Sequence, residues 1–194
     1  MPYLYDVFIS YKRNSDAGLW VRNHLYPVLT QCLASEMPRD PQVWFDEDQD
    51  IGTNWPNNLK HVLLHSRVIL CVWSPPYFRS AWCLAEWESM RAREQIFRHR
   101  GNTNPPVIYP VIFSDGEHFP QSAREIIGRT DLSAWGYPYL QFRNSLKYLA
   151  FHDAVRTVAI ELAKRVSDVP PWEPGWPTLN PAALPEPMLQ LPRL

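Results

Sequence analysis

Three observations predict an α/β fold: a flavodoxin-like doubly wound domain with a five-stranded parallel sheet and helices on both faces. Short β-branched or aromatic runs alternate with longer helical patterns along the chain, as in parallel sheets joined by helical crossovers. Two of the runs, RVILCVWS (67–74) and PVIYPVIF (106–113), are almost continuously apolar, as strands covered on both faces must be. Five such units fall within about 165 residues, the size of one doubly wound domain.

The elements follow in order. YLYDVFIS (3–10) reads as the first strand. Residues 15–33 place Leu19, Leu25, Leu29 and Cys32 or Leu33 at helical spacing, and Pro27, which has no backbone donor, is expected to kink or interrupt that helix. QVWFD (42–46) is the second strand, 55–66 a helix, 67–74 the third strand and 77–100 a long helix. After the fourth strand, YPYLQF (137–142) is the remaining strand candidate. The last helix, about 145–167, carries Tyr148, Phe151, Val155, Val158, Leu162 and Val166 three and four residues apart. No internal repeat is present. From Val169 the texture becomes proline-rich, VPPWEPGWPTLNPAALPEPMLQLPRL, which divides the chain into a domain (1–168) and an extended tail (169–194). A solvated linker is the plain reading of that tail. Trp172, Trp176, Leu184, Met188 and Leu191 favour a strap against the domain or a neighbouring subunit.

Composition excludes several classes. A net charge of -1, from 19 basic and 20 acidic residues, gives no general attraction to nucleic acid or anionic membrane. MPYLYDVFIS lacks a basic stretch followed by a long apolar one, so no signal peptide is expected. No apolar run approaches the roughly 20 residues of a membrane span. Cys32, Cys71 and Cys83 are odd in number and sit in apolar contexts, as expected of reduced thiols in a cytoplasmic protein.

Ligands of open parallel sheets bind beyond the carboxyl ends of the strands, where strand order reverses. Strand one ends in Ser10-Tyr11-Lys12-Arg13-Asn14, strand two at Asp46 before an acidic loop, and strand three at Ser74-Pro75-Pro76, just ahead of SAWCLAEWE (80–88). On a helix Trp82, Cys83 and Glu86 are neighbours. Cys83, Trp87, Met90 and Phe97 form one apolar stripe, and Glu86 lies about 60° from its centre, on the side of Trp82. Two readings stay open for Glu86: a solvated helix charge, or a carboxylate partly desolvated beside an indole, with a raised pKa and a stronger hold on a nearby cation. Glu88 points elsewhere.

These residues carry a family resemblance. YDVFISYKRNSD (5–16) resembles the opening motif of TIR (Toll/interleukin-1 receptor) domains, and WFDEDQDIGTNW (44–55), with its acidic turn and Gly52, resembles their second strand and BB loop. SAWCLAEWE is similar to the W-C-x-x-E segment in which the enzymatic branch carries its glutamate. The likeness spans about residues 3 to 165 and leaves out the tail. It implies an enzyme that cleaves the nicotinamide–ribose bond of NAD, with Glu86 as the catalytic carboxylate and NAD as substrate rather than cofactor. Ser10, Tyr11, Lys12, Arg13, Trp44, Asp46, Trp82 and Cys83 are then the substrate-binding positions. The animal axon-degeneration NADase reads Y-R-R where this chain has Tyr11-Lys12-Arg13, and lysine lacks arginine's bidentate fork. The resemblance also implies self-association through TIR–TIR contacts and innate immune signalling. In a bacterium this would be antiviral defence of the Thoeris type, with a separate effector responding to the nucleotide product.

The reaction suits one carboxylate. The leaving pyridinium departs as neutral nicotinamide, so no general acid is needed, unlike ordinary glycoside cleavage with its two carboxylates. A single carboxylate can hold the ribose hydroxyls and offset oxocarbenium charge, Trp82 can shield it, and Lys12 and Arg13 can balance the diphosphate. Water as acceptor gives ADP-ribose; the adenine ring or a ribose hydroxyl gives a cyclic isomer.

Other constellations fit less well. In DEDQDIG the Gly comes one residue late for a calcium loop and the twelfth position is Asn57. His61 and His65 have no evident third ligand, so no metal site is assigned and a helix-surface pair is the simpler reading. There is no Gly-rich phosphate loop, and Cys83 lacks a histidine partner, which favours a small buried residue over a nucleophile. Two rival functions stand beside the NADase: a non-enzymatic TIR adaptor using the same surfaces for homotypic contacts, and a nucleoside deoxyribosyltransferase-like enzyme with a catalytic Glu on a similar sheet.

Overall fold

Five parallel strands, β1 (Tyr5–Ser10), β2 (Val43–Trp44), β3 (Ser66–Trp73), β4 (Ile108–Ile112) and β5 (Thr130–Asp131), form one sheet in the order β2-β1-β3-β4-β5. This is the doubly wound order expected from the sequence, with its switch point between β1 and β3. The computed structural model describes residues 3–46, 55–101, 107–114, 116–126 and 128–181. The central strands are covered on both faces: Val68 to Trp73 of β3 are all buried, and Ser10 stands level with Cys71 across the ladder.

The helices are α1 (Asp16–Trp20), α2 (Tyr26–Glu36), α3 (Trp55–Leu64), α4 (Pro75–Phe78), α5 (Ala81–His99), α6 (Gln121–Arg124) and α7 (Lys147–Asp168). Between α1 and α2 the chain runs through a π-helical turn, Val21–Leu25, in which the Tyr26 N–H reaches back to the Val21 carbonyl. Pro27 sits in the first turn of α2. Because it cannot donate, the ladder slips by one residue ahead of it and the helix continues rather than breaking. Ahead of this turn Leu19 faces outward, 43% exposed, and Trp20 sits in the core instead.

The fifth strand differs from the expectation. YPYLQF is not in the sheet; its end lies in a 3₁₀ turn, Leu140–Asn144, and Phe142 packs against His24, Tyr148 and Phe151 in the helical layer. Pro138 removes a ladder donor there, and the aromatic run serves helix packing. The edge position goes to Thr130 and Asp131, which pair with Val111 and Ile112. The Asp131 carboxylate then accepts from Ser133 N–H and turns the chain away.

Residues 169–181 run along the domain. Trp172 donates its indole N–H to the Leu64 carbonyl at 3.1 Å and stacks on His65. Trp176 is buried against Phe97 and over the Arg93 guanidinium, and Leu179 N–H donates to Ser89 Oγ at 2.8 Å. His65 is therefore buried under Trp172, a correction to the helix-surface reading of the His61–His65 pair. The other tail residues singled out from sequence, Leu184, Met188 and Leu191, lie outside the described residues. No described helix is long and apolar enough to cross a membrane. The three cysteines are buried and unpaired with one another.

Candidate functional site

Ser10 ends β1 in the core, 1% exposed, and the chain turns outward through Tyr11, Lys12 and Arg13. That turn is fixed by the start of α1. Ser15 Oγ donates to the Lys12 carbonyl at 2.6 Å and accepts from Gly18 N–H, capping the helix. Gly18 is required by close approach, since a Cβ there would overlap the Arg13 carbonyl oxygen.

On the other side of the switch point, α5 is capped by Ser80, whose Oγ accepts from Cys83 N–H. Cys83, Trp87, Met90 and Phe97 are buried, as their spacing predicts. Burying that stripe rolls Glu86 inward as well, to 8% exposure. Ser10 Oγ donates to Glu86 Oε2 at 2.5 Å, and Tyr77 OH lies 2.9 Å from Ser10 Oγ. Glu88 does point elsewhere and pairs with Arg91.

A cleft of about 80 Å³ opens at this rim, lined by Phe8, Ile9, Tyr11, Lys12, Arg13, Trp44, Asp46, Leu59, Ser80, Trp82, Cys83 and Glu86. Eight of the nine sequence candidates are in that lining, and Ser10 stands behind it on Glu86. Trp44 is held by stacking on Phe8 at 4.7 Å, and Trp82 is partly buried against the core. Asp46 closes one side: its carbonyl accepts from Tyr11 OH at 2.6 Å and its carboxylate pairs with Arg13. Beyond that pair lies a larger compartment of about 520 Å³, which shares Tyr11, Arg13 and Asp46 with the first and adds Asn14, Ser15, Asp16, Gly18, Leu19 and Arg22.

The electrostatics follow from burial. Desolvation pushes the Glu86 carboxyl up to about 8; the Ser10 hydrogen bond opposes this, Asp46 adds to it and Arg13 opposes it. Burial, helped by Glu86, also pushes the Cys83 thiol well up, which makes it a poor nucleophile at neutral pH. The arrangement can present one switchable carboxyl to a cationic or hydroxylic group, beside an indole and two cations. Among the described residues no group of three or more His, Cys, Asp or Glu side chains could hold a metal ion.

A scan against protein-family models matches residues 7–146 to the TIR domain. The chain belongs to the TIR domain family. One solved structure, described as the activated Roq1 resistosome directly recognizing the pathogen effector XopQ (TIR domains), is similar to this TIR domain at 18% identity. The match covers 85% of each chain with a TM-score of 0.39. A search of the curated proteins finds no match.

Sequence reading missed four lining residues and the residue behind Ser10. Ser80 carries a visible signal, a Ser three positions ahead of Cys83 at a helix start. Phe8, Ile9 and Leu59 read only as core, and Tyr77 gives no signal, because its contact with Ser10 spans 67 positions. The acidic loop with Gly52 lies outside the described residues.

Proposed function

We propose that this TIR domain is a cytoplasmic NAD nucleosidase that cleaves the nicotinamide–ribose bond. The observation that carries the reading is a buried carboxyl, Glu86, in a cleft at the switch point with Trp82, Lys12 and Arg13 around it. Burying a carboxyl costs free energy unless it serves a partner, and the partner that fits this cleft is a cation.

The nicotinamide ribose enters the small compartment. Its positive charge favours the ionised form of Glu86, which accepts the ribose hydroxyls. As the C–N bond breaks, its electron pair passes to the ring nitrogen and nicotinamide leaves neutral. The oxocarbenium carbon is captured by water, which gives ADP-ribose and releases a proton, or by a nucleophile of the same molecule, which gives a cyclic isomer. Arg13 exchanges Asp46 for the diphosphate, and Lys12 adds a second positive charge.

At about 80 Å³ the small compartment is well below the roughly 300–1,000 Å³ of ligand sites. A gain in room through release of the Arg13–Asp46 pair, or through association of TIR domains, is therefore part of the reading. Specific activity should rise with protein concentration. A place in immune signalling, including antiviral defence with a separate effector that responds to the product, is what the resemblance to TIR domains implies.

The test is chromatography of NAD incubated with concentrated protein, wild type beside Glu86→Gln. Nicotinamide from wild type and its loss in the variant support the proposal, and the accompanying peak names the product. No release by wild type at any protein concentration favours the adaptor. Cleavage of free nucleosides but not of NAD favours the deoxyribosyltransferase-like chemistry.

A further inference from the structure

We propose that Tyr77 is a positioning residue for the Glu86 carboxyl, acting through Ser10 as a reversible hydrogen-bond relay that is satisfied whether the carboxyl is charged or neutral. This rests on the reading of Glu86 as the working carboxylate.

Four groups stand in line. Glu86 Oε2 lies 2.5 Å from Ser10 Oγ, Ser10 Oγ lies 2.9 Å from Tyr77 OH, and Tyr77 OH lies 3.2 Å from the Cys83 carbonyl oxygen. All four residues are buried, Tyr77 completely. They come from three places in the chain, β1, α4 and α5, and meet only in the fold. Each hydroxyl carries one proton and can also accept, so the line has two complete directions. With Glu86 ionised, Tyr77 donates to Ser10 and Ser10 donates to the carboxylate. With Glu86 protonated, its O–H donates to Ser10, Ser10 to Tyr77, and Tyr77 to the Cys83 carbonyl. The change requires two hydroxyl rotations and the exchange of one proton between Glu86 and water. No buried polar atom of the line is orphaned in either state, which otherwise costs about 1–3 kcal/mol per group.

The charged and titratable groups that face Glu86 are Lys12 and Arg13 after β1, Asp46 after β2, Cys71 on β3, Tyr77 on α4 and Cys83 on α5. Burial pushes both thiols and the Tyr77 phenol upward, so all three keep their protons through neutral pH. The relay favours the anion over the neutral acid, because hydrogen bonds to a charged acceptor are the stronger ones and Tyr77 polarises the Ser10 hydroxyl.

The experiment follows the Glu86 carboxyl by carbon NMR of the full chain labelled at glutamate Cδ, with the signal assigned by its loss in Glu86→Gln. Ser10→Ala should raise the titration midpoint by about one unit, the loss of one bond to a charged acceptor. Tyr77→Phe, which keeps the ring, should raise it by roughly half as much. Replacing Tyr77 with 3-fluorotyrosine, a stronger donor of the same shape, should lower it. A midpoint unmoved by both Tyr77 replacements, or moved the opposite way, overturns the relay. Nicotinamide release is measured on the same samples. If wild type releases none, the NAD reading fails while the titration still decides the relay.

Discussion

Glu86→Gln should make the protein more stable at alkaline pH while it removes the carboxylate proposed to act on NAD. The carboxyl is raised from 4.5 to about 8 by burial, so between those values the native state holds a proton that the unfolded chain has released. Stability from this group is therefore fully present below the unfolded value and lost as pH rises through the folded one. At about 1.4 kcal/mol per unit, the loss between pH 5 and pH 9 is about 4 kcal/mol. Gln has the same shape, and its amide oxygen can still accept from Ser10 Oγ, but it never ionises. The wild-type and variant curves should lie close together at pH 5 and diverge through the window. For a domain of this size the variant should gain on the order of 10 °C in Tm, relative to wild type, by pH 9. The assay is urea and thermal unfolding of both proteins at matched pH, where every other titrating group cancels in the difference. A difference that stays constant from pH 5 to pH 9 would refute the argument, because it would mean that Glu86 ionises as freely in the folded chain as in the unfolded one.

Under the proposed NAD cleavage, the pH dependence of catalysis should have the opposite sign. If the carboxylate is the working form, kcat/KM for nicotinamide release rises with pH through about 8, and a profile that falls over that range contradicts the role given to Glu86. Gly18→Ala would drive a Cβ into the Arg13 carbonyl. It should cost on the order of 2 kcal/mol in urea unfolding and, under the proposed function, weaken NAD binding by shifting the Lys12–Arg13 turn; unchanged KM and stability would show that the turn yields freely. Trp176→Ala removes a buried indole from Phe97 and Arg93. A loss of about 3 kcal/mol is expected, and an unaltered unfolding midpoint would mean that the tail contributes nothing to the domain.

Local physical chemistry was enough to determine most of the framework of this protein. Strand and helix alternation and two doubly apolar runs dictated the parallel sheet, because chain period and burial are read from neighbouring residues. The stripe Cys83, Trp87, Met90 and Phe97 fixed which face of α5 turns inward, and Glu86 beside it pointed to the rim between β1 and β3. Tertiary structure decided what periodicity does not encode. It gave the sheet edge to the two polar residues Thr130 and Asp131 and drew the aromatic run 137–142 into helix packing. It laid Trp172 and Trp176 across α3 and α5, and joined Arg13 to Asp46 across the cleft. It also set Tyr77 and Ser10 in line behind Glu86. These contacts join residues far apart in the chain, and their partners are selected by close packing and by the need to satisfy buried polar groups. Neither requirement exists until the sheet has assembled.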